Sequence, residues 1–264
     1  MLTSNPAPLP HPPTTLTEIP ARDSDTVVVF VHGLLGRPEQ FDDMVALVAA
    51  HGYASKAILL PGHGGSGWEF AKHGYKCWQS HLDRELARLR GQYGRTFLVT
   101  HSMGGLLALN ASLVGENHVS GVFMLAAPMR LNYGPRSLYQ HLKLLVMPKS
   151  NPIKQTYIAS VGVTSTPMAA YPLWLRPVLE LIKLMRLTKG NLPQVSVPVT
   201  LVHSVNDENV ALTSADLLWN HLSNAPKKRL TLEHSWHAYY PPTERAIILK
   251  ELLDALTSSP STED

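Results

Sequence analysis

The stretch 97–105 constrains the fold most, because an apolar strand and a helix meet there with almost no connecting chain. Residues 97–99 have the aromatic and β-branched character of a buried strand, and two glycines follow Ser102 at its second and third neighbours. A turn this tight strains the backbone of its serine and lifts the hydroxyl above the sheet. Small residues two positions to either side prevent clashes, and here Thr100 takes the first of those positions. The stretch predicts a strand–turn–helix unit that presents Ser102 as a nucleophile. Because Thr100 is bulkier than the glycine usual at its position, we expect the packing there to differ from that of a glycine-containing elbow.

Strand and helix patterns alternate along most of the chain. Strand character is found at 27–31, 57–60, 97–99, 119–125, 199–202 and 230–232, and helical spacing at 41–50, 78–90, 104–114, 214–222 and 244–256. Such alternation at short spacing predicts βαβ units and a parallel sheet. It stops at Pro128, after which only helical patterns occur until about 194. We therefore expect an α/β fold whose mostly parallel central sheet is flanked by helices, with a helical segment inserted after the fourth readable strand.

Length and composition are those of one large core. The chain has 264 residues, 44% hydrophobic and 16% charged, which excludes a disordered or coiled-coil protein. Six prolines among the first twenty residues predict an extended, mobile arm. We expect a disordered arm at 1–20, a catalytic core at 21–128 and 195–256, a helical cap or lid at 129–194, and a disordered tail at 257–264.

The charge pattern argues against a nucleic-acid partner. The net charge is only +3, and the basic residues are scattered. The densest basic run, Lys227-Lys228-Arg229, is interpreted as a solvated turn between a helix and a strand. There is no apolar stretch of the length that a membrane span needs, and no secretory signal pattern. With Cys77 as the single cysteine, these features lead us to expect a cytoplasmic protein without a transmembrane segment.

Metal and cofactor motifs are missing despite 13 histidines. The sequence has no H-E-x-x-H motif and no Cys/His cluster at ligand spacing. The glycine-rich stretch 62–67 lacks the Gly-Lys-Ser/Thr of a phosphate loop. We expect no metal and no cofactor.

A serine nucleophile needs a base, and the base needs an acid that orients it. In a fold with this kind of elbow, the order along the chain is serine, acid, histidine, with each in a loop after a strand. Asp207 follows the strand at 199–202, and His237 follows the strand at 230–232. Glu208 is a rival for the acid and His234 for the base, and both alternatives stay open.

The reaction also needs N–H donors for the negative oxygen of its intermediate. The backbone N–H of Met103, directly after the nucleophile, is one candidate, and that of Leu34, in the turn after the first strand, is the other. Gly33 allows the backbone to approach the substrate closely.

Taken together, these motifs resemble the α/β-hydrolase superfamily from about 27 to 256, and most closely the small capped carboxylesterases and monoacylglycerol lipases. The matching pieces are His32-Gly33-Leu34-Leu35-Gly36, Leu60-Pro61-Gly62-His63-Gly64, His101-Ser102-Met103-Gly104-Gly105, Asp207 and His237. The resemblance implies the α/β-hydrolase fold, a Ser–Asp–His hydrolase and a lid over the acyl pocket. It also implies that the turn around His63 is structural.

We therefore expect a serine hydrolase that cleaves carboxylic esters with an apolar acyl or alcohol part. A thioesterase, an amidase or a carbon–carbon bond hydrolase would use the same residues, and a poorly catalytic binding protein is a further alternative. The segment 174–185 is rich in large apolar residues, which suits the underside of a lid, ordinary packing onto the sheet, a homodimer contact or contact with a lipid surface. The small-molecule substrate itself is not specified by these patterns.

Overall fold

A seven-stranded sheet runs through the structure, a computed structural model that describes residues 18–19, 25–164 and 168–258. Its strands are β1 (Glu18–Ile19), β2 (Thr26–Val31), β3 (Ala54–Ile58), β4 (Arg95–His101), β5 (Val119–Leu125), β6 (Val199–Ser204) and β7 (Lys227–Leu232). Their order is β1-β3-β2-β4-β5-β6-β7. Only β1 is antiparallel to its neighbour, β3. The predicted α/β fold with a mostly parallel sheet is confirmed.

Helices cover both faces of this sheet, because the central strands are apolar on both sides. In β2, Val27, Val29 and Val31 face one core, and Val28 and Phe30 face the other. The helices are α1 (Asp42–Ala50), α2 (Gly67–Ala71), α3 (Tyr75–Leu89), α4 (Met103–Ala111), α5 (Pro135–Val146), α6 (Pro152–Ser160), α7 (Leu175–Asn191), α8 (Thr213–His221) and α9 (Pro242–Thr257). Helices α1 and α9 pack on one face, and α3, α4 and α7 belong to the other.

The segment between β5 and β6 is helical, as the sequence predicts, and contains α5, α6 and α7. In α7, Leu181 and Leu184 are buried in the same core as residues of α4. Trp174, just before α7, donates a hydrogen bond from its indole to the carbonyl of Gly67 at 3.1 Å. Ordinary packing therefore explains the apolar character at Leu181 and Leu184, and the lid interpretation of the whole segment stays a prediction.

Three sequence interpretations need adjustment at the ends of elements. The run Lys227-Lys228-Arg229 is the start of β7 rather than a turn, and charged side chains suit this outer strand because they discourage pairing with other chains. Lys228 pairs with Glu251 of α9 at 2.6 Å. The predicted arm at 1–20 and tail at 257–264 lie largely outside the described residues. In the described part of these two ranges, Glu18–Ile19 form β1 and Thr257 is the last residue of α9.

No helix in the described ranges combines the length and the apolar character that crossing a membrane requires.

Candidate active site

Ser102 lies between the end of β4 and the start of α4, in a strained conformation. Its backbone angles are φ 52° and ψ −124°, in a region that residues with a side chain rarely adopt. The strain is supported by two hydrogen bonds: Ser102 N–H donates to the carbonyl of Leu125 at 2.8 Å, and Gly105 N–H donates to the Ser102 carbonyl at 3.0 Å. The predicted strand–turn–helix unit is therefore present, with the serine at its sharpest point.

The glycines after Ser102 are required by close packing. A Cβ atom at Gly104 would lie 2.2 Å from the carbonyl oxygen of Val31, which no side chain tolerates. A Cβ atom at Gly105 would come within 3.3 Å of the hydroxyl oxygen of Thr100. That hydroxyl is buried and donates to the carbonyl of Phe123 at 3.2 Å. Thr100 can replace the usual glycine of the elbow because Gly105 leaves room for it and Phe123 satisfies its hydroxyl.

Asp207 and His237 form a buried hydrogen-bonded pair at the carboxyl ends of β6 and β7. The distance from His237 Nδ1 to Asp207 Oδ2 is 2.8 Å. The other carboxylate oxygen accepts the backbone N–H groups of Asn209 and Val210, each at 2.8 Å. Burial alone would raise the pKa of Asp207, but the charge of His237 and these hydrogen bonds hold it below its usual value.

The charge state of the pair suits a general base. Burial by itself lowers the pKa of His237, but the charge and hydrogen bond of Asp207 outweigh it and raise the pKa above its usual value. Because Nδ1 donates its proton to the ionised Asp207, Nε2 of a neutral His237 carries the basic lone pair.

The side chains of Glu208 and His234, the rivals for the acid and the base, do not form such a pair. Glu208 is fully buried and its Oε2 accepts the backbone N–H of His237 at 3.0 Å, so it contacts the main chain of the histidine and not its ring. His234 is exposed, and its backbone N–H donates to Glu244 at 2.9 Å. Of the sequence candidates for acid and base, Asp207 and His237 are the two whose side chains are joined.

His101 connects the nucleophile to the loop that carries His237. Its Nε2 lies 2.8 Å from the carbonyl oxygen of His237, and the two imidazole rings have their centres 4.8 Å apart. Burial lowers the pKa of His101 to about 3, so a neutral ring donates this hydrogen bond. In the sequence, His101 is visible only as part of the elbow motif, and its position directly before the serine is the one signal of this contact.

The turn after β2 lies against Ser102. A Cβ atom at Gly33 would be only 2.7 Å from Cβ of Ser102. The Gly33 carbonyl accepts from His32 Nδ1 at 2.8 Å and from the backbone N–H of Gly36 at 3.0 Å. Since the N–H of a trans peptide points opposite to its carbonyl, these bonds set the direction of the Leu34 N–H.

Two buried histidines support this turn. Burial lowers the pKa of His32 well below its usual value, and its Nε2 accepts the backbone N–H of Leu60 at 3.0 Å. His63 Nε2 accepts the backbone N–H of Leu35 at 3.1 Å, and burial lowers the pKa of His63 to about 4. His63 thus holds the turn from outside, in keeping with the structural role that the resemblance implies.

Met103 is the first residue of α4 and is fully buried. The first N–H groups of a helix have no partner within the helix and attract negative charge. The N–H of Met103 is therefore free of helical hydrogen bonding at a position directly after Ser102.

A cavity of about 570 Å³ opens beside this group of residues. It is bounded by His101 and Leu125, by the loop that follows His237, by α6 and by the segment 37–43. Arg37 and Arg245 line it, each paired with a nearby carboxylate. Charged pairs and apolar groups thus meet in one cavity close to His237.

Within the described part of the chain, no group of three or more His, Cys, Asp or Glu residues is arranged to hold a metal ion.

Comparison with known proteins identifies the family of the chain. Residues 22–241 match the family model Hydrolase_4, described as serine aminopeptidase, S33. The thermostable monoacylglycerol lipase of Bacillus sp. (strain H-257) is 23% identical over 242 residues, which is 89% of this chain and 91% of that protein.

Two solved structures have the same fold. A soluble variant of monoglyceride lipase from Saccharomyces cerevisiae, in complex with a substrate analog, has a TM-score of 0.70 at 16% identity, covering 97% of this chain and 100% of that one. The monoacylglycerol lipase of Paleococcus ferrophilus has a TM-score of 0.70 at 18% identity, covering 93% and 98%. The chain belongs to the Hydrolase_4 family of α/β hydrolases, and within that fold it resembles monoacylglycerol lipases.

Proposed function

We propose that this protein hydrolyses carboxylic esters with an apolar acyl or alcohol part, with Ser102 as nucleophile, His237 as base and Asp207 as the acid that orients the base. The observation that supports this most is the strained serine at the end of β4, one residue from a histidine that contacts the hydrogen-bonded pair of His237 and Asp207. Acyl transfer by a serine needs a basic imidazole that a carboxylate orients, and His101 links the loop of that Asp207–His237 pair to the elbow of Ser102.

In the first half of the reaction, Ser102 Oγ attacks the ester carbonyl carbon and gives its proton to His237 Nε2. The carbonyl oxygen becomes negative, and the backbone N–H groups of Leu34 and Met103 stabilise it. When the carbon–oxygen bond of the leaving group breaks, His237 donates its proton to the departing alcohol. The acyl group remains on Ser102 as an ester.

In the second half, water replaces the alcohol. His237 Nε2 takes a proton from the water, whose oxygen attacks the acyl carbon. The second intermediate collapses when the bond to Ser102 breaks and the serine regains its proton from His237. The carboxylic acid leaves, and Asp207 holds the imidazole ring in one orientation throughout and stabilises its protonated form.

The cavity next to His237 suits the leaving alcohol. His101 and Ala238, the residue after His237, line the cavity, so an alcohol held there would lie near the base that protonates its oxygen. Its charged pairs, Arg37 with Glu39 and Arg245 with Asp43, offer both donors and acceptors for hydroxyl groups. The printed name of the Bacillus relative, a monoacylglycerol lipase, supports a glycerol monoester as the first substrate to test.

An amide is the second candidate, because the family description names an aminopeptidase. The same residues would protonate an amine as leaving group. The experiment compares one medium-length acyl chain attached as a glycerol monoester, a p-nitrophenyl ester, a coenzyme A thioester and an anilide. A kcat/KM at least tenfold higher for the oxygen esters supports the proposal. A preference for the thioester, or for an anilide or aminoacyl anilide, would replace it with the corresponding alternative.

The location and the assembly of the protein stay predictions. The expected cytoplasmic location rests on sequence patterns and the single cysteine, and the expected absence of a nucleic-acid partner rests on the small net charge. A homodimer through the inserted helices would use the exposed apolar side chains of α5, among them Leu138, Leu145 and Val146.

A further inference from the structure

Glu208 is a buried carboxylate directly beside the proposed triad acid. It is fully buried, and its Oε2 accepts the backbone N–H of His237 at 3.0 Å. Its Oε1 accepts the side-chain amide of Asn209 at 2.8 Å and the hydroxyl of Tyr157. A buried carboxylate is stable only when such donors satisfy it, so its position depends on all three.

Tyr157 brings the inserted helix α6 into this arrangement. Burial, followed by the charge of Glu208, raises the pKa of the Tyr157 hydroxyl, so the hydroxyl keeps its proton and donates it to Glu208. The same oxygen accepts the backbone N–H of Ala238 at 3.4 Å. Two successive N–H groups, of His237 and Ala238, are therefore held by Glu208 and by its partner Tyr157.

The loop of His237 is held at a second point by a different carboxylate. Glu244, at the start of α9, accepts the backbone N–H groups of Glu233 and His234 at 2.8 and 2.9 Å and the hydroxyl of Ser235 at 2.5 Å. Glu244 thus anchors the start of the loop to helix α9. Glu208 anchors His237 itself, and it alone of the two connects the loop to the inserted segment through Tyr157.

Helix α5 and the chain just before it also contact the loop that carries Asp207, here called the acid loop. The Ser137 hydroxyl donates to the carbonyl of Glu208 at 2.6 Å, and the Gln140 amide donates to the carbonyl of Asn206 at 2.7 Å. Asn132 donates to the carbonyl of Asp207 at 2.9 Å. These contacts fix the backbone of the acid loop to the inserted segment, so α5 and α6 share a frame with Asp207 and His237.

We propose that Glu208 is a positioning residue for catalysis: it holds the main chain of His237 and, through Tyr157, makes helix α6 part of the support of the base. This rests on the proposed serine-hydrolase function. Asp207 orients the imidazole ring, whereas Glu208 orients the backbone from which that ring projects.

The charge of Glu208 supplies a readout that a purely structural residue would not affect. The groups that face His237 are Asp207, Glu208, His101 and Tyr240. Glu208 adds to Asp207 in raising the pKa of His237. Replacing Glu208 by glutamine keeps the shape and removes the charge, so the acid limb of the kcat/KM profile moves to lower pH.

The test uses the full chain with Glu208→Gln and Tyr157→Phe. Matched controls are Glu233→Gln, an exposed carboxylate of the same loop, and Tyr139→Phe, an exposed tyrosine of α5. We expect kcat on a p-nitrophenyl ester to fall about tenfold in each test variant, the usual size of a lost buried hydrogen bond, with KM within twofold. The acid limb of the kcat/KM profile moves to lower pH in Glu208→Gln and keeps its parental position in Tyr157→Phe and in both controls. Both controls stay within about twofold of the parent protein.

Tyr157→Phe with parental kcat, or Glu208→Gln with a parental acid limb, would overturn the proposal. If Glu208→Gln does not fold, as judged by circular dichroism, Tyr157→Phe decides alone. A kcat loss of fivefold or more at constant KM supports the proposal, and a smaller loss overturns it. Failure of the proposed function is distinguishable, because then Ser102→Ala matches the parent protein, or the parent protein has no activity at all.

Discussion

The imidazole Nδ1 of His237 lies 2.8 Å from a carboxylate oxygen of Asp207, although the two residues are 30 positions apart in the chain. Strands β6 and β7 are parallel neighbours, so their carboxyl ends bring both following loops to one edge of the sheet. The parallel pairing of β6 and β7 thus brings the two side chains together, and the proposed reaction uses this pair.

The first prediction concerns pH. His237 acts as a base only when it is neutral, and Asp207 raises its pKa above the usual value of about 6.5 despite burial. Activity is therefore present above the raised pKa and is lost as the pH falls through it. We expect kcat/KM to fall with a slope of one below a midpoint that lies above pH 6.5. A midpoint clearly below 6.5 in stopped-flow measurements on a p-nitrophenyl ester would count against the pair.

The second prediction concerns the acid. Asp207→Asn keeps the size of the side chain but removes the charge that fixes the tautomer and stabilises the protonated imidazole. A loss in kcat of about a thousandfold to ten-thousandfold is expected. Glu233→Gln, in the loop of His237, is the control and stays near the parent value. If Asp207→Asn retains more than a tenth of the parental kcat, Asp207 is not the acid of this site.

The third prediction concerns the turn after β2. Gly33→Ala places a Cβ atom 2.7 Å from Cβ of Ser102, so the turn has to move away from the serine. Because this moves the Leu34 N–H, we expect kcat to fall by about a hundredfold or more. Gly115→Ala is the control, since no atom lies within 4 Å of its added Cβ. Equal activity of Gly33→Ala and the parent protein would remove Leu34 from the proposed oxyanion site.

The fourth prediction concerns the cavity beside His237. Ala159 of α6 lines it, and Ala159→Trp would occupy much of its space. If the leaving alcohol binds there, kcat/KM falls more than tenfold for esters of bulky alcohols and stays within about threefold for methyl esters of the same acid. An equal loss for both kinds of ester would show that the cavity does not select the alcohol.

The fifth prediction separates packing from lid function in α7. Leu184 is fully buried, whereas Leu187 of the same helix is 44% exposed. Leu184→Ala should lower the free energy of unfolding by about 2–5 kcal/mol, and Leu187→Ala by less than about 0.5 kcal/mol. Urea denaturation followed by tryptophan fluorescence measures both. Similar small effects would mean that α7 is not part of the core.

The sequence predicted the features that depend on local pattern. Apolar runs revealed the strands β2 to β7, although β3 lies at Ala54–Ile58 and not at the predicted 57–60, and the two residues of β1 are too few to show a pattern. The elbow at Ser102 was visible because its glycines are close in sequence. The alternating order of strands and helices also led to Asp207 and His237. These two follow strands, and residues at strand ends meet at one edge of a parallel sheet.

Features that depend on three-dimensional neighbours were not predictable. Glu208 was weighed only as a rival acid, since nothing in the sequence shows that its carboxylate meets a backbone N–H and the hydroxyl of Tyr157. The apolar residues Leu181 and Leu184 have the same helical spacing whether they cover a core or a substrate. Similarly, Lys227 to Arg229 begin an outer strand, which a run of charges alone does not reveal.

The central claim is that Ser102 carries out ester hydrolysis, and the most direct measurement compares the parent protein with Ser102→Ala. Both are treated with a fluorophosphonate, examined by intact-protein mass spectrometry, and assayed on a short p-nitrophenyl ester. The account predicts one covalent adduct and clear turnover for the parent protein, and no adduct with at least a thousandfold lower rate for Ser102→Ala. Equal turnover by both proteins, or a parent protein that neither reacts with the probe nor cleaves the ester, would contradict it.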